Sequence, residues 1–481
     1  MRGKRLPGLT AVLCLLALSG VSSPAGAQNF EILDQQLDAN RHGYTVIHVW
    51  GSHRQMGQAL GKVFAADILD GMEEVRTELG DMYGTARTVI ADTDWSARGI
   101  TEEIAGVVEG IREVEPSADI DDADIMVLNT FGDWGYYGGC RSHQCWGSFV
   151  SGATRTLSTR RLDFGTPFQA VLHHVLVAFD PDDGSPRWVN LAWPGYVTVI
   201  TGVNRYGTLV SLHDYGSSFQ IVSGGLLRCV ATRLVLCDVP PGLALDRHLA
   251  WAEGELASAT FTTGTFINYY VPEGLGGVFT CTTAGSCSSA RRPRSEYFGG
   301  EVLITTNSQT DGTSVPGGGE FMDDYYQQGP PKSLADHFQL MGTGGLHLLS
   351  LDYRGEQDMT MWFTGRGLSG RVEVEWSELF AGSPQPDGGN SDAGVADGSG
   401  PDGGADQPAS DDGPDGGTTS DHAADSSESG ADDGTASDRV ADSDDDGGGC
   451  ACATRSAYHP GHLLLLALAL LTSRRRRKPR P

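Results

Sequence analysis

The spacing of apolar and polar residues predicts a mainly helical segment before residue 145. Residues 44–50 (YTVIHVW) have the β-branched and aromatic composition of a single strand. Apolar residues then recur every three to four positions over residues 51–79, as on the buried face of a helix. Two further helices are predicted to begin at Thr101 and at Asp121, where polar and acidic residues precede apolar ones.

After residue 144, strand patterns predominate, and helical spacing predicts two helices over residues 224–235 and 244–255. The predicted strands cover residues 145–150, 154–164, 169–179, 188–193, 197–202, 208–213, 266–271, 301–306, 346–353, 359–363 and 371–376. Runs of antiparallel strands interrupted by helices are typical of an α+β fold with layered sheets.

The first two of these strands form a predicted hairpin that begins with a cysteine. Cys145 opens the first strand, and Gly152 and Ala153 supply the turn. The end of the second strand of a hairpin lies beside the start of the first, so Arg160 and Asp163 are expected near Cys145. A guanidinium beside a cysteine favours the thiolate, which is the nucleophilic form. Any catalytic chemistry is therefore predicted here.

Three motifs follow this cysteine in a defined order. Residues 160–164 read RRLDF, residues 202–207 read GVNRYG and residues 305–308 read TTNS. They resemble the R-N-x-D-[FW], G-x-N-x-x-G and T-N-[HSN] motifs of N-terminal-nucleophile (Ntn) hydrolases. The resemblance is to the group of acyl-CoA:6-aminopenicillanate acyltransferase, acid ceramidase and choloylglycine hydrolase, and it covers about residues 40–365.

The resemblance implies a four-layer αββα sandwich. Residues 28–144 would be a helical N-terminal segment, which in the family is a propeptide, and residues 145–381 would be the catalytic core. It further implies a hydrolase or acyltransferase that acts on non-peptide acyl amides and is activated by cleavage before the nucleophile.

The resemblance also implies roles for individual residues. Cys145 would be the nucleophile, Arg160 would favour its thiolate and face the substrate carbonyl, and Asp163 would orient the freed α-amine. Asn204 would supply an oxyanion donor, and Asn307 would add a further donor or hold the amine.

The cysteines leave alternatives open. Cys140 follows a glycine, as at many family cleavage sites, and is the alternative nucleophile. A disulfide between Cys140 and Cys145 would leave no free thiol, and the chain would then be a catalytically inactive surface binding or adhesion module. Close spacing further suggests local disulfides Cys229–Cys237 and Cys281–Cys287.

Charge excludes one class of partner. The chain has a formal net charge of -28, and residues 382–449 hold 18 acidic residues against one Arg. Binding to a phosphate backbone relies on Lys and Arg, so no nucleic-acid partner is expected. The sequence contains no H-E-x-x-H, P-loop or dinucleotide-binding motif, and neither a metal nor a cofactor is predicted. The expected partner is a small-molecule acyl amide.

The two ends of the chain predict export. Residues 1–27 combine basic residues, an apolar run and a small-residue cleavage site, as in a secretory signal peptide. Residues 382–449 are nearly free of apolar side chains and are predicted to be a disordered linker. Residues 450–481 contain Cys450 and Cys452, a short apolar run and an arginine cluster, and they resemble the MYXO-CTERM sorting tail. That resemblance implies a sorting protease, attachment to a membrane through the tail, and a location at the cell surface or outside the cell.

Overall fold

Runs of strands separated by helices make up the described part of the chain. A computed structural model describes residues 28–133, 145–152, 154–163, 169–214, 224–282, 287–290, 292–293, 301–306, 327–341 and 345–382. Its strands are β1 (Phe30–Leu37), β2 (Gly43–Gly51), β3 (Trp146–Ser151), β4 (Thr156–Leu162), β5 (His173–Pro181), β6 (Trp188–Ala192), β7 (Thr201–Asn204), β8 (Leu209–Asp214), β9 (Thr265–Tyr270), β10 (Gly277–Cys281), β11 (Glu301–Thr306), β12 (His347–Gly355), β13 (Asp358–Gly365) and β14 (Val372–Glu375). Its helices are α1 (His53–Val63), α2 (Ala65–Leu79), α3 (Met82–Ile90), α4 (Ile100–Val114), α5 (Asp122–Leu128), α6 (Arg228–Cys237), α7 (His248–Ala257), α8 (Leu334–Met341) and α9 (Trp376–Leu379).

These strands form two sheets. The first sheet has eight strands in the order β1-β2-β5-β6-β7-β8-β9-β10, and the second has six in the order β11-β3-β4-β12-β13-β14. Neighbouring strands are antiparallel except for β2 and β5, which are parallel.

Three apolar clusters define four layers. Between the sheets, side chains such as Leu176 and Leu191 of the first sheet join the same cluster as Leu349 and Met361 of the second. The other face of the first sheet is covered by the large helices, including α1, α4 and α6. On the outer face of the second sheet, Leu340 of α8 joins a smaller cluster with residues of β11 and β12. The layers therefore run helix, sheet, sheet, helix, which confirms the predicted αββα arrangement.

Several boundaries differ from the predictions. The helix predicted over residues 51–79 is two helices, because the backbone departs from helical geometry at Phe64. Strands β1 and β10 and helices α3, α8 and α9 were not predicted. In β1, apolar and polar residues do not alternate and five of the eight residues are exposed, so the strand pattern is weak there. The proposed signal peptide, the linker after residue 382 and the sorting tail lie outside the described residues. Within the described ranges, no helix combines the length and apolar character needed to cross a membrane.

A buried ion pair joins the N-terminal segment to the core. Arg233 of α6 donates two hydrogen bonds to Glu103 of α4, at 2.9 and 2.6 Å, and both side chains are fully buried. His53 of α1 lies 2.7 Å from the same carboxylate. Burial alone would raise the pKa of Glu103, but Arg233 and His53 hold it below its ordinary value. Removing one partner would leave a buried charge uncompensated, which costs about 3–5 kcal/mol.

Glycines allow α1 and α4 to cross at backbone contact. A Cβ atom built on Gly57 or Gly61 would lie 2.0 or 2.1 Å from a carbonyl oxygen of α4. A Cβ atom built on Gly106 or Gly110 would lie 2.2 or 2.1 Å from a carbonyl oxygen of α1. No side chain fits at these four positions unless the helices separate. Their G-x-x-x-G spacing places each pair on one helix face.

We predict that Gly106→Ala lowers the free energy of unfolding by about 2–3 kcal/mol, because the added methyl group overpacks a backbone contact. Chemical denaturation followed by circular dichroism measures this loss.

Gly84→Ala is the matched control, because Gly84 lies in α3 with no atom within 4 Å of its added Cβ. It should raise stability by about 0.5–1 kcal/mol through helix propensity. Equal effects of the two substitutions would contradict the described helix contact.

Candidate active site

The hairpin of β3 and β4 places Cys145 beside Asp163. The strands pair in register from Trp146 opposite Arg161 to Ser151 opposite Thr156. Cys145 directly precedes β3, and the backbone N–H of Asp163 lies 3.3 Å from its Sγ atom. The predicted proximity of these two residues is present in the structure.

Cys145 does not carry a free thiol in this structure. It is fully buried, and its sulfur is disulfide-bonded. The other described cysteines are either free or joined in the Cys281–Cys287 bridge, so its partner lies outside the described residues. Cys140, the alternative nucleophile, also lies outside them. A sulfur in a disulfide cannot be deprotonated to a thiolate, so reduction must precede any nucleophilic role.

Arg160 is buried with unused hydrogen-bond donors. Its Nη2 donates to the carbonyl oxygen of Leu212 at 2.7 Å, while Nε and Nη1 have no hydrogen-bond partner. Burial lowers the pKa of Arg160 to about 9, against the attraction of Asp214 and Asp163. The side chain therefore stays cationic at neutral pH, and two of its nitrogens lack a hydrogen-bond partner.

Arg160 and Asp163 do not form a close ion pair. Asp163 lies 3.4 Å from Arg161 instead, because residues two apart on a strand share a face and residues three apart do not. Burial raises the pKa of Asp163, and Arg161 opposes the increase. The backbone N–H of Asp163 thus lies next to the sulfur of Cys145, whereas its carboxylate is paired with Arg161.

Asn204 is not placed as an oxyanion donor. Its Nδ2 donates to the carbonyl oxygen of Leu236 at 3.1 Å, and its Oδ1 accepts from the N–H groups of Tyr206 and Thr208. Thr201 lies at the other end of β7. Its hydroxyl oxygen is 3.2 Å from His347 of β12, which pairs with Leu162 of β4. Thr201 and Asn204 are three residues apart along β7, which corresponds to about 10 Å. Asn204 therefore fixes the β7–β8 turn, which corrects the role expected from the motif.

Asn307 lies outside the described residues. The strand that precedes it, β11, ends at Thr306, which pairs with Trp146 next to Cys145. Its proposed role stays a prediction.

One of the two expected local disulfides is absent. Cys229 and Cys237 are both free and buried, since they lie eight residues apart on α6. Eight residues of helix span about 12 Å, whereas bridged cysteines have Cα atoms within about 7 Å. Cys281 and Cys287 form the disulfide that their spacing suggested.

A pocket beside the hairpin contains charged residues that the motifs did not indicate. Its cavity volume is about 40 Å³, and its walls include Arg160 and Leu162 of β4. Extending the β3–β4 register by one residue places Leu162 opposite Cys145. The remaining lining residues are Thr130, Phe131, Gly132, Asp133, Trp193, Tyr196, Ile200, Leu212, His213, Asp214, Arg228 and Cys229.

Arg228 organises one side of this pocket. It donates to Asp133 at 2.5 Å, to Asp214, and to the carbonyl oxygen of Gly132 at 3.1 Å. Both carboxylates raise its pKa although it is buried. The nearby Cys229 thiol has its pKa raised to about 12 by burial, so it is not a second nucleophile at neutral pH. Sequence offered only a weak signal here, because these residues lie in three separate parts of the chain.

The chain has remote structural likeness to two amide hydrolases. No protein-family model matches it, and no curated protein matches it significantly. The Caenorhabditis elegans ortholog of N-acylethanolamine-hydrolyzing acid amidase is 13% identical with a TM-score of 0.30, over 43% of this chain and 92% of that chain. A mutant conjugated bile acid hydrolase from Clostridium perfringens is 10% identical with a TM-score of 0.33, over 48% of this chain and 92% of that chain.

We predict distinct alkylation behaviour for the buried cysteines. In denaturant without reductant, iodoacetamide should modify Cys229 and Cys237, whose thiols are free, and should leave Cys145 unmodified. Adding reductant before the reagent should make Cys145 reactive. Peptide mapping by mass spectrometry assigns each site.

The Cys281–Cys287 pair is the internal control, because both residues should require reductant. Modification of Cys145 in denaturant alone would contradict the described disulfide.

Proposed function

We propose that this chain is an Ntn-type cysteine amidohydrolase or acyltransferase that acts on non-peptide acyl amides. The observation that carries the proposal is the position of Cys145 directly before β3, buried in the apolar cluster on the helix side of the first sheet. Asp163 lies beside it, and the buried Arg160, two of whose nitrogens have no hydrogen-bond partner, lines the adjoining pocket. The resemblance of the surrounding motifs to Ntn hydrolases supports the same assignment.

Activation would begin with thiol–disulfide exchange, in which an external dithiol reduces the Cys145 disulfide and is itself oxidised to a disulfide. The released thiol would attack the carbonyl carbon of Gln144, shifting that acyl group from nitrogen to sulfur and freeing the α-amine of Cys145. Water would then hydrolyse the thioester, leaving Cys145 as a new N-terminus. An α-amino group titrates near about pH 8, so it can accept the thiol proton during later turnovers.

Turnover would pass through an acyl-cysteine intermediate. The thiolate attacks the amide carbonyl, and Arg160 donates an N–H group to the oxygen on which negative charge develops. The protonated α-amine gives its proton to the leaving amine, and water or a second amine then takes the acyl group. Asp163 would orient the α-amine and Asn307 would add a donor. Asn204 would take no part, since its side chain bonds to the carbonyl oxygen of Leu236 in α6 and to N–H groups of the β7–β8 turn.

A second function is favoured by one specific observation. Cys145 is disulfide-bonded and buried, which is the state expected of a catalytically inactive Ntn-fold protein. Such a protein would use the pocket to bind a ligand at the cell surface without turnover. The two proposals differ in whether reduction of the disulfide produces activity.

Export and surface attachment are part of the proposal. The signal-like residues 1–27 and the MYXO-CTERM-like residues 450–481 support passage out of the cytoplasm. A sorting protease would process the tail, and the acidic linker would separate the folded part from the membrane.

We predict that reduction converts the wild-type ectodomain into two fragments, the second beginning at Cys145. Amide hydrolysis should appear with the same time course, because the new α-amine is the general base. Intact mass, N-terminal sequencing and release of amine from an N-acyl amide panel measure the two events.

Cys145→Ala should remain a single inactive chain under the same conditions. Cys237→Ala is the control for loss of a buried thiol outside the pocket, and it should still be cleaved. A second fragment beginning at Cys140 would move the nucleophile by five residues. A reduced, folded, uncut and inactive wild-type chain would favour the binding module.

A further inference from the structure

His53 of α1 lies between two carboxylates, one at each nitrogen of its ring. Its Nδ1 is 2.7 Å from Oε1 of Glu103, and its Nε2 is 3.3 Å from Oδ2 of Asp183. A neutral imidazole has one N–H donor and one nitrogen lone pair, so either neutral form would place a lone pair against a carboxylate oxygen. Only the imidazolium can donate to both carboxylates. The geometry therefore fits the protonated ring.

The two carboxylates belong to different parts of the chain. Glu103 lies on α4, in the same N-terminal segment as His53, whereas Asp183 lies between β5 and β6 of the core. The backbone N–H of Ser185 donates to Oδ1 of Asp183 at 2.9 Å, which leaves Oδ2 for His53. His53 therefore links α1 to the core directly.

The His53 ring packs on the backbone where α4 begins. A Cβ atom built on Gly99 would lie 2.0 Å from Cγ of the ring. Gly99 has a φ of 69°, which glycine adopts without strain. About one eighth of the His53 side chain stays accessible, since its exposed fraction is 12%. Protons from solvent can therefore reach the ring.

The charges around the ring balance when His53 carries a proton. The groups that face it from neighbouring elements are three carboxylates and two guanidiniums, those of Glu103, Asp183, Asp238, Arg98 and Arg233. The Cys237 thiol in the same network stays neutral at neutral pH, because burial raises its pKa well above the ordinary value. An imidazolium cancels the one excess negative charge of this group.

The directions of the pKa shifts agree with this arrangement. Burial alone would lower the pKa of His53, but Glu103 and Asp183 hold it above its ordinary value, against the repulsion of Arg233. Burial likewise opposes ionisation of the partly exposed Asp183, but hydrogen bonds from Ser185 and the charge of His53 keep its pKa below the ordinary value.

These directions define the pH range in which the contacts stabilise the fold. The raised pKa of His53 gives a contribution that is complete below the ordinary histidine pKa of about 6.5 and is lost as pH rises through the folded-state value. The lowered pKa values of Glu103 and Asp183 give contributions that are present above about pH 4.5 and are lost as pH falls through the folded-state values. The contacts are therefore strongest between about pH 4.5 and 6.5.

We propose that His53 is a proton-dependent clamp between the N-terminal segment and the core. The clamp is closed when the ring is an imidazolium that donates to Glu103 and Asp183. When the ring is neutral, one of the two hydrogen bonds is lost and α1 is held less tightly. The pair of Glu103 and Arg233 still joins the segment to the core. The clamp does not depend on the proposed catalytic function, because neither Cys145 nor the pocket takes part in it.

Titration of His53 in the wild-type protein tests the clamp directly. Hydrogen–deuterium exchange at the ring carbon between the two nitrogens depends on ring protonation, and mass spectrometry measures it for each peptide. Chymotrypsin cleavage after Trp50 separates His53 from His48. The half-titration pH of His53 should lie above about 6.5.

Asp183→Asn should lower this half-titration pH, because a neutral amide removes one of the two charges that favour the imidazolium. Asp182→Asn is the matched control, since it removes an exposed carboxylate one residue away for which the structure gives no contact with His53. It should shift the titration of His53 less.

Urea denaturation at a series of pH values between about 5.5 and 8.5 gives a second readout. His53→Gln keeps an N–H donor but cannot be protonated. The folding equilibrium constant of the wild type relative to His53→Gln should fall about tenfold as pH rises, the size expected for the loss of a hydrogen bond between charged groups. His42→Gln, at a histidine outside the clamp, should show no comparable fall.

A half-titration pH of His53 at or below about 6.5 would overturn the proposal. Equal shifts from Asp183→Asn and Asp182→Asn would also overturn it, as would a stability ratio of wild type to His53→Gln that does not change with pH. If His53→Gln does not fold, the titrations of the wild type and of Asp183→Asn still decide the question.

Discussion

The parallel pairing of β2 with β5 is the constraint on which the rest of the described fold depends. Nine consecutive residue pairs, from Gly43–His173 to Gly51–Pro181, join the two strands. Parallel neighbours require a long crossover, and here the crossover contains α1 to α5 and the β3–β4 hairpin. One connection therefore supplies helices to one face of the first sheet and the hairpin with Cys145 to the other. A cut before Cys145 would leave this pairing intact, so the N-terminal segment would stay in the fold.

The two proposed functions, amide turnover and ligand binding without turnover, differ in the redox state of Cys145. The hairpin, the buried Arg160 and the pocket are present in this structure, in which Cys145 is half of a disulfide. The disulfide would remove the proposed nucleophile and leave the pocket, because the pocket is lined by other residues. An exported protein meets an oxidising environment, where such a bond persists. On the proposed functions, binding and catalysis would thus be separable properties of the same site.

Sequence predicted the features that depend on local pattern. The hairpin followed from alternation and a turn at Gly152, and it correctly placed Asp163 near Cys145. The four layers followed from the motif resemblance. Asn204 was assigned wrongly because a motif does not show which end of a strand faces the site. The Cys229–Cys237 pairing failed because short spacing suits a loop but not a helix.

The network of Asp133, Arg228 and Asp214 could not be predicted, since its residues come together only when the layers close. The same holds for the unpaired N–H groups of Arg160, whose strand position was predicted but whose burial depends on the facing sheet. Charges and pockets formed by distant segments are tertiary properties. Local periodicity carries no information about them.

Trapping of the acyl-cysteine intermediate tests the central claim most directly. Reduced and processed protein would be mixed with a hydrolysable N-acyl amide, quenched in acid within the first turnover, and digested for mass spectrometry. The account predicts that the peptide beginning at Cys145 gains the mass of the acyl group, and that hydroxylamine removes it. Turnover with no acyl group on Cys145, or with the acyl group on another residue, would contradict it.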